Sequence, residues 1–349
     1  MSTSAPAPDR QTMNGKPVLF RPAKTVLNMD SGFKEKLLCD GPTFSLGDAC
    51  TYSCSFCFVV AMMAKAGYMP KGRRHIDMVV RRENALKILH SQLLTNPGKG
   101  KPRQPKYNDP NDQRVVYSSP LVDCAGNMDL VRETVEACVL ILLLTNWHIR
   151  LLSKSNLLPK LAALLVNHTP SQAWRSDVRR RMIFGVSTGT LDDSQAAAFE
   201  KGCAKPSKRF ESLHWLQDEG FRTFGMICPS LPQRDYSGWA AEMHCALRGH
   251  NCEHIWAEVM NVRGQSLSNT VSALHHAGYE WQASALQRVS EDPAAWEDYA
   301  RQTFLAHAQY HHNQPERLRF LQYVTPKTLD WWKSHAASGA ILLGAAAHA

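Results

Sequence analysis

The chain has 349 residues, with 40 Lys and Arg against 31 Asp and Glu, giving a formal net charge of +9 at pH 7. Hydrophobic residues make up 44% and charged residues 20%, which is ordinary globular usage and excludes wholesale disorder, a collagen-like repeat and a coiled-coil rod. The best apolar run, Val139–Leu144, is about a third of the roughly 20 residues that a membrane helix needs, so no membrane association is expected.

The segment Met1–Arg10 lacks the continuous apolar stretch of a secretory signal, so it reads as a short tail of a cytoplasmic protein. Thr43–Leu46 forms a first strand that ends at Gly47-Asp48, directly before a group of cysteines. A helix is expected over Phe58–Ala64, then a basic irregular stretch, then a helix over Arg82–Leu94. The Pro-, Gly- and charge-rich segment Thr95–Lys106 marks a surface loop before strand two, Val115–Ser118. Asp129–Thr145 is apolar at helical spacing, Ile149–Ser153 is strand three, and Leu157–Leu165 is the next helix. Met182–Ser187 is strand four, and a helix over Pro206–Glu219 closes at Gly220, a suitable C-cap. Thr223–Cys228 is strand five, a helix covers Gly238–Leu247, and Ile255–Val259 is strand six. From Asn269 the pattern is mostly helical, with Leu318–Val324 a candidate seventh strand and an Ala-rich tail to Ala349. This alternation predicts an α/β fold with a parallel sheet and helices outside. The expected organisation is an N-terminal tail and lead-in over 1–38, a partial (β/α)6 TIM-like barrel over 39–265, and a mainly helical C-terminal extension over 266–349.

Of ten cysteines, seven are dispersed and read as small buried hydrophobes in a reducing compartment. Cys50, Cys54 and Cys57 differ, because C-x3-C-x2-C puts three soft ligands on one short loop. Structural zinc wants four ligands, usually as two separated pairs, and no second pair occurs at zinc spacing. Iron–sulfur clusters are also held by thiolates, normally four, and three would leave one iron open.

With Phe56 before its last cysteine, this loop resembles the cluster loop of the radical S-adenosylmethionine (radical SAM) superfamily. The resemblance implies that Cys50, Cys54 and Cys57 ligate three irons of a [4Fe–4S] cluster. S-adenosylmethionine would chelate the fourth and be cleaved reductively to a 5′-deoxyadenosyl radical. Leu-Leu-Ser153-Lys154-Ser155, Lys205–Arg209 and Glu258-Val-Met-Asn261-Val-Arg263-Gly264 further resemble the spore photoproduct lyase-like, or DNA repair photolyase-like, branch.

In that branch the strand-three lysine and the serines ending strands two and four contact S-adenosylmethionine, which maps onto Lys154, Ser118 or Ser119, and Ser187. A lysine and hydroxyls suit its carboxylate and ribose. Phe56, Glu258, Asn261 and Arg263 complete the candidate contacts, with Asp123, since Ser118–Asp123 stands where the superfamily commonly has Gly-Gly-Glu. True spore photoproduct lyases carry a hydrogen-donating cysteine just before the strand-two serine. Here Tyr117 and Ser118 occupy that neighbourhood and Cys124 is the nearest thiol, which makes Tyr117 and Cys124 the candidate catalytic residues.

Basic residues cluster at Lys71, Arg73, Arg74, Arg81 and Arg82, at Lys99, Lys101, Arg103 and Lys106, and at Arg175, Arg179, Arg180 and Arg181. Such clusters neutralise phosphates, so a nucleic acid or nucleotide-derived substrate is expected, with an electron donor such as a flavodoxin or ferredoxin. Two other classes stay open: radical chemistry on a peptide or small molecule, and a nucleic-acid-binding protein with a structural metal. His311-His312 and Trp331-Trp332 read as surface histidines and a packed C-terminal helix rather than a metal site or stacking platform.

Overall fold

The computed structural model describes residues 12–59, 62–63, 78–118, 121–261 and 265–348. Among the described residues eight strands run parallel in chain order: β1 Thr43–Phe44, β2 Val115–Ser118, β3 His148–Ser153, β4 Met182–Thr188, β5 Arg222–Ser230, β6 His254–Val259, β7 Leu318–Tyr323 and β8 Ala340–Leu343. Each hydrogen-bonds to its sequence neighbours, and Leu27–Asn28 closes the β1 edge antiparallel, making nine strands. Among the described residues β8 pairs with β7 alone, so the sheet does not close.

Eleven helices accompany the strands among the described residues: α1 Ala85–Leu93, α2 Met128–Leu144, α3 Leu158–Val166, α4 Gln172–Arg181, α5 Asp193–Phe199, α6 Pro206–Asp218, α7 Tyr236–Ala246, α8 Ser266–His276, α9 Glu280–Glu291, α10 Pro293–Tyr310 and α11 Leu329–Ser334. Their starts carry readable signals. Asn127, Asp192 and Asp235 accept first-turn backbone N–H groups of α2, α5 and α7, and Pro206 and Pro293 open α6 and α10, where no backbone donor is lost.

Strand residues alternate between two cores, as the period of two demands. Val116, Ile149, Leu151, Phe184, Val186, Ile227, Ile255 and Phe320 pack outward against the helices. Tyr117, Ile183, Phe224, Met226, Trp256, Leu321 and Leu343 pack together on the inner face. Gly185 is fixed by this inner layer, because a Cβ there would sit 2.4 Å from the Phe224 ring. The Arg150 guanidinium stacks 4.9 Å from the Trp256 ring and donates to the carbonyl of Leu38 at 2.7 Å, so residues 33–39 cap the inner face.

All six expected strands are present, and the sheet runs on beyond them. Leu318–Tyr323 is its seventh parallel strand, and the Ala-rich tail contributes the eighth. Two further differences matter. The cysteine loop does not leave β1 directly: Gly47–Ala49 intervenes as a strand of a separate four-stranded sheet with Thr12–Met13, Lys16–Arg21 and Val79–Arg82. Arg21 and Arg82 both bind the buried Asp48 carboxylate in that strand, Arg82 at 2.7 Å, which anchors the chain two residues before Cys50. Of the helix expected over Phe58–Ala64, residues 60, 61 and 64 lie outside the described residues, and Val59, Met62 and Met63 are helical. His311, expected at the surface, is buried beside His244 and His307, whereas His312 is exposed. Trp332 is fully buried and stacks on Phe320 at 5.8 Å, consistent with a packed helix.

Candidate active site

The loop Cys50–Cys57 crosses the C-terminal ends of the parallel strands, where α/β folds converge side chains from several strands. Ser53–Cys54 pairs antiparallel with Glu200–Lys201, the turn that follows α5, with Cys54 opposite Glu200. The Ser55 backbone N–H donates to the Phe199 carbonyl at 2.9 Å, and the Ser55 hydroxyl meets Thr270 at 2.8 Å. All three loop cysteines are half-buried. The Cys50 sulfur accepts backbone N–H groups of Tyr52 at 3.5 Å and Asp123 at 3.4 Å. Burial pushes its thiol pKa up to about 12, the cost of placing a thiolate away from water without a counter-charge.

Asp123 ties the loop to the strand ends. Its carboxylate accepts from Ser153 Oγ at 2.7 Å, from the Lys154 backbone N–H at 2.8 Å and from that of Ala125 at 2.9 Å. Burial raises its pKa and these hydrogen bonds work against that rise.

Beside Asp123, the ends of β3, β4 and β5 share one polar knot. Lys154 Nζ donates to Ser187 Oγ at 3.0 Å, to Glu200 Oε1 at 2.6 Å and to the Cys228 carbonyl at 3.3 Å. It also lies 5.3 Å from the centre of the Phe56 ring, which packs on Phe199. Glu200 forms a second ion pair with Arg209, which donates to the carbonyls of Ala204 and Ser187, both at 2.7 Å. Burial alone would raise the Glu200 pKa, but Lys154 and Arg209 outweigh it and hold the carboxyl below its ordinary value. Two cations share one anion here, so Lys154, Arg209 and Glu200 together carry one net positive charge, with the Asp123 carboxylate beside them.

The sequence-derived candidates separate into groups. Cys50, Cys54, Phe56, Asp123, Lys154 and Ser187 come together through the contacts above, while Cys57 lies on the same loop, its N–H on the Cys54 carbonyl at 3.2 Å, and packs beside Ala49, Val59 and Met63. Glu258 faces the same end of the sheet from β6, paired with Lys36 at 3.4 Å and reached by the Cys228 thiol at 3.9 Å. Ser118 is buried at the end of β2 and Asn261 is half-buried just beyond β6, while Ser119 and Arg263 lie outside the described residues. Tyr117 is in register with Arg150, well short of Ser153, and its ring packs on Phe33 at 5.4 Å. Cys124 belongs to the outer, helix-facing core, where its thiol donates to the Leu152 carbonyl at 3.5 Å. Neither Tyr117 nor Cys124 is brought into the knot.

Sequence reasoning missed Glu200, Arg209 and Cys203. Arg209 stood in a segment already marked by resemblance; Glu200 follows an Ala-rich helix and carries no local signal.

The basic clusters at Lys99–Lys106 and Arg175–Arg181 are not gathered at the cysteine loop. Helix α4 runs directly into Met182, the first residue of β4, so Arg179, Arg180 and Arg181 sit at the N-terminal end of that strand, opposite the cysteine loop. Arg181 is buried and donates to the carbonyls of Trp147, Leu142 and Thr145. Lys99, Lys101, Arg103 and Lys106 likewise precede β2, and Arg103 bonds the Ser91 and Thr95 carbonyls. Arg81 and Arg82 pair with Glu133 and Asp48; Lys71, Arg73 and Arg74 lie outside the described residues.

No protein-family model and no curated protein matches the chain. Solved structures do. Its fold is similar to that of spore photoproduct lyase. A complex of that lyase with dinucleoside spore photoproduct is 12% identical over 73% of this chain and 66% of its own, at a TM-score of 0.47. A mutant of it with bound AdoMet and the same dinucleoside is 12% identical over 67% and 60%, at 0.44. Streptococcus suis SuiB bound to precursor peptide SuiA is 12% identical over 70% and 46%, at 0.39. The chain spans just under two thirds of the lyase's length, and these likenesses concern the fold alone.

Among the described residues, no group of three or more His, Cys, Asp or Glu side chains is already gathered to hold a metal ion. The donor chemistry of the loop nevertheless fits an iron–sulfur centre: three sulfurs on one segment, one of them accepting two backbone N–H groups, the kind of hydrogen bond that tunes such clusters.

Proposed function

We propose that the chain is a radical SAM enzyme in which Cys50, Cys54 and Cys57 hold a [4Fe–4S] cluster and the adjacent strand ends bind S-adenosylmethionine. The observation that carries this reading is the contact between the two halves of the site: Cys54 pairs across from Glu200, and Phe56 lies under the Lys154 ammonium. When bound, the cluster and S-adenosylmethionine supply, on one-electron reduction, a 5′-deoxyadenosyl radical able to abstract hydrogen from a substrate.

The chain's own residues have separable tasks. The surplus positive charge of Lys154, Arg209 and Glu200 suits the methionine carboxylate, with Ser187 Oγ as a second polar contact. Asp123 fixes the spacing between the loop and β3 by holding Ser153 and Lys154 while its own N–H bonds Cys50. The aromatic inner face beneath, with Phe224 and Trp256 at its centre, excludes water from below, as radical chemistry requires.

For the substrate we favour a nucleic acid or a nucleotide-derived molecule, supported by the net charge of +9 and by Lys71, Arg73 and Arg74 following the loop in sequence. A flavodoxin or ferredoxin is the class of reductant this chemistry calls for, in a cytoplasmic setting. Anaerobic loading with iron and sulfide tests the cluster. Visible charge-transfer absorbance that disappears in Cys50→Ala, Cys54→Ala and Cys57→Ala chains is expected, and bound zinc without iron would overturn the reading in favour of a structural metal. Oligonucleotide affinity that falls steeply as salt rises is expected of the substrate class; no affinity at low salt would shift the substrate to a peptide or small molecule.

A further inference from the structure

The Cys54 sulfur has a fourth cysteine beside it. Cys203 Sγ lies 3.5 Å away, although the two residues are 149 positions apart in sequence. The approach is built by the backbone. Cys54 pairs with Glu200 in the short antiparallel ladder, and the chain turns immediately after it through Gly202, at φ +86°. The Cys203 N–H donates back to the Glu200 carbonyl at 3.0 Å, and the next residue's N–H bonds the Lys154 carbonyl at 3.0 Å. Gly202 takes the left-handed conformation that a side chain would disfavour, so the turn directs Cys203 onto the loop. Both residues are half-buried.

Three soft ligands on an iron-free loop are open to oxidation, and this pair offers a reversible end point. We propose that Cys54 and Cys203 form a disulfide when the loop is empty, a redox switch that withdraws one loop sulfur from metal binding and returns it on reduction. The oxidant is a low-molecular-weight disulfide such as oxidised glutathione. The Cys54 thiolate attacks it and expels one glutathione thiolate. The Cys203 sulfur then attacks the mixed disulfide and expels the second. One S–S bond forms between the cysteines and one breaks in the oxidant; two cysteine sulfurs are oxidised, and the two cysteine protons end on two glutathione thiols. A bond of about 2.05 Å requires the sulfurs to close from their present separation by side-chain rotation. The bond itself stands on geometry alone, while its consequence for metal binding rests on the proposed role of Cys54.

The test uses the full chain prepared free of iron. After incubation with oxidised glutathione, peptide mapping by mass spectrometry is expected to show Cys54 linked to Cys203, with two fewer free thiols than in the same chain before oxidation. Iron and sulfide loading of the oxidised chain is expected to fall at least tenfold and to recover with dithiothreitol. Linkage of Cys54 to Cys50 or Cys57 instead, or no linkage, overturns the pairing. Linkage with undiminished iron loading overturns the switch and, with it, the assignment of Cys54 as a ligand. Linkage in a chain that takes up no iron even when reduced leaves the pairing standing, while the switch and the proposed cluster fail together.

Discussion

Replacing Glu200 with Gln removes the one anion that two buried cations share while changing almost no volume. The side chains of Glu200 and Arg209 are 0% and 1% exposed and that of Lys154 13%, so water can offset little of the lost charge. Removing one partner of a buried pair typically costs about 3–5 kcal/mol. Lys154 is the better hydrated cation here, and Arg209 keeps its bonds to the Ala204 and Ser187 carbonyls, which puts the expected loss near the lower end, about 3 kcal/mol. Urea unfolding of the iron-free chain at pH 7.5, followed by tryptophan fluorescence, reads this directly. The double variant Glu200→Gln with Lys154→Met discards one surplus cation and is expected to recover about half of the loss. A loss below about 1 kcal/mol, the size of an exposed pair, or a double variant no better than the sum of the singles, would refute the reasoning. The pH dependence has a definite sign. The folded-state pKa of Glu200 is depressed, so its contribution is present above the ordinary carboxyl value of 4.5 and is lost as pH falls through the folded value; Glu200→Gln lacks that component.

The buried histidines give an acid-sensitive signature elsewhere. Burial lowers the pKa of His244 to about 2, His307 to about 3 and His311 to about 4, and His244 Nε2 meets His307 Nδ1 at 3.0 Å. Their contribution is present above about pH 6.5 and shrinks as pH falls below it, by about 1.4 kcal/mol per pH unit for each histidine that stays neutral in the fold. Melting of the wild-type chain should therefore drop between pH 7 and 5.5, with a shallower drop in His307→Gln; equal slopes would contradict the cluster. Gly185→Ala should cost about 1–3 kcal/mol in thermal unfolding and be relieved by Phe224→Leu, since the new Cβ meets that ring. Asp123→Asn keeps the shape but weakens the bonds to Ser153 and Lys154; S-adenosylmethionine affinity measured by calorimetry should fall about tenfold, and unchanged affinity would remove Asp123 from the site.

The parallel sheet was legible because each strand is a short apolar run bounded by turns and separated by amphipathic helices. Met182–Thr188 is buried on both faces along its whole length and has no polar periodicity to confuse it with a surface element. The cysteine loop was legible because all three of its cysteines are local. Non-local pairing was not. Asp48 reads as a turn residue until Arg21 and Arg82 fold onto it, and Cys203 reads as one more dispersed cysteine until the Gly202 turn sets it on Cys54. Glu200 has no neighbour in sequence that shows it is the hub of an ion-pair knot. The basic residues misled for a related reason. Their proximity to strand starts was visible, but which end of the sheet they occupied depended on α4, a helix so rich in arginine that its apolar face is hard to see.

The central claim is the joint use of the cysteine loop and the Lys154 knot in radical chemistry. Its most direct test is release of 5′-deoxyadenosine from S-adenosylmethionine by the anaerobically reconstituted chain with dithionite, measured by liquid chromatography. Release from the wild type that is abolished in Cys54→Ala, and reduced in Lys154→Met at unchanged iron content, is the expected result. No 5′-deoxyadenosine from an iron-loaded wild-type chain, or equal amounts with and without Cys54, would contradict the account.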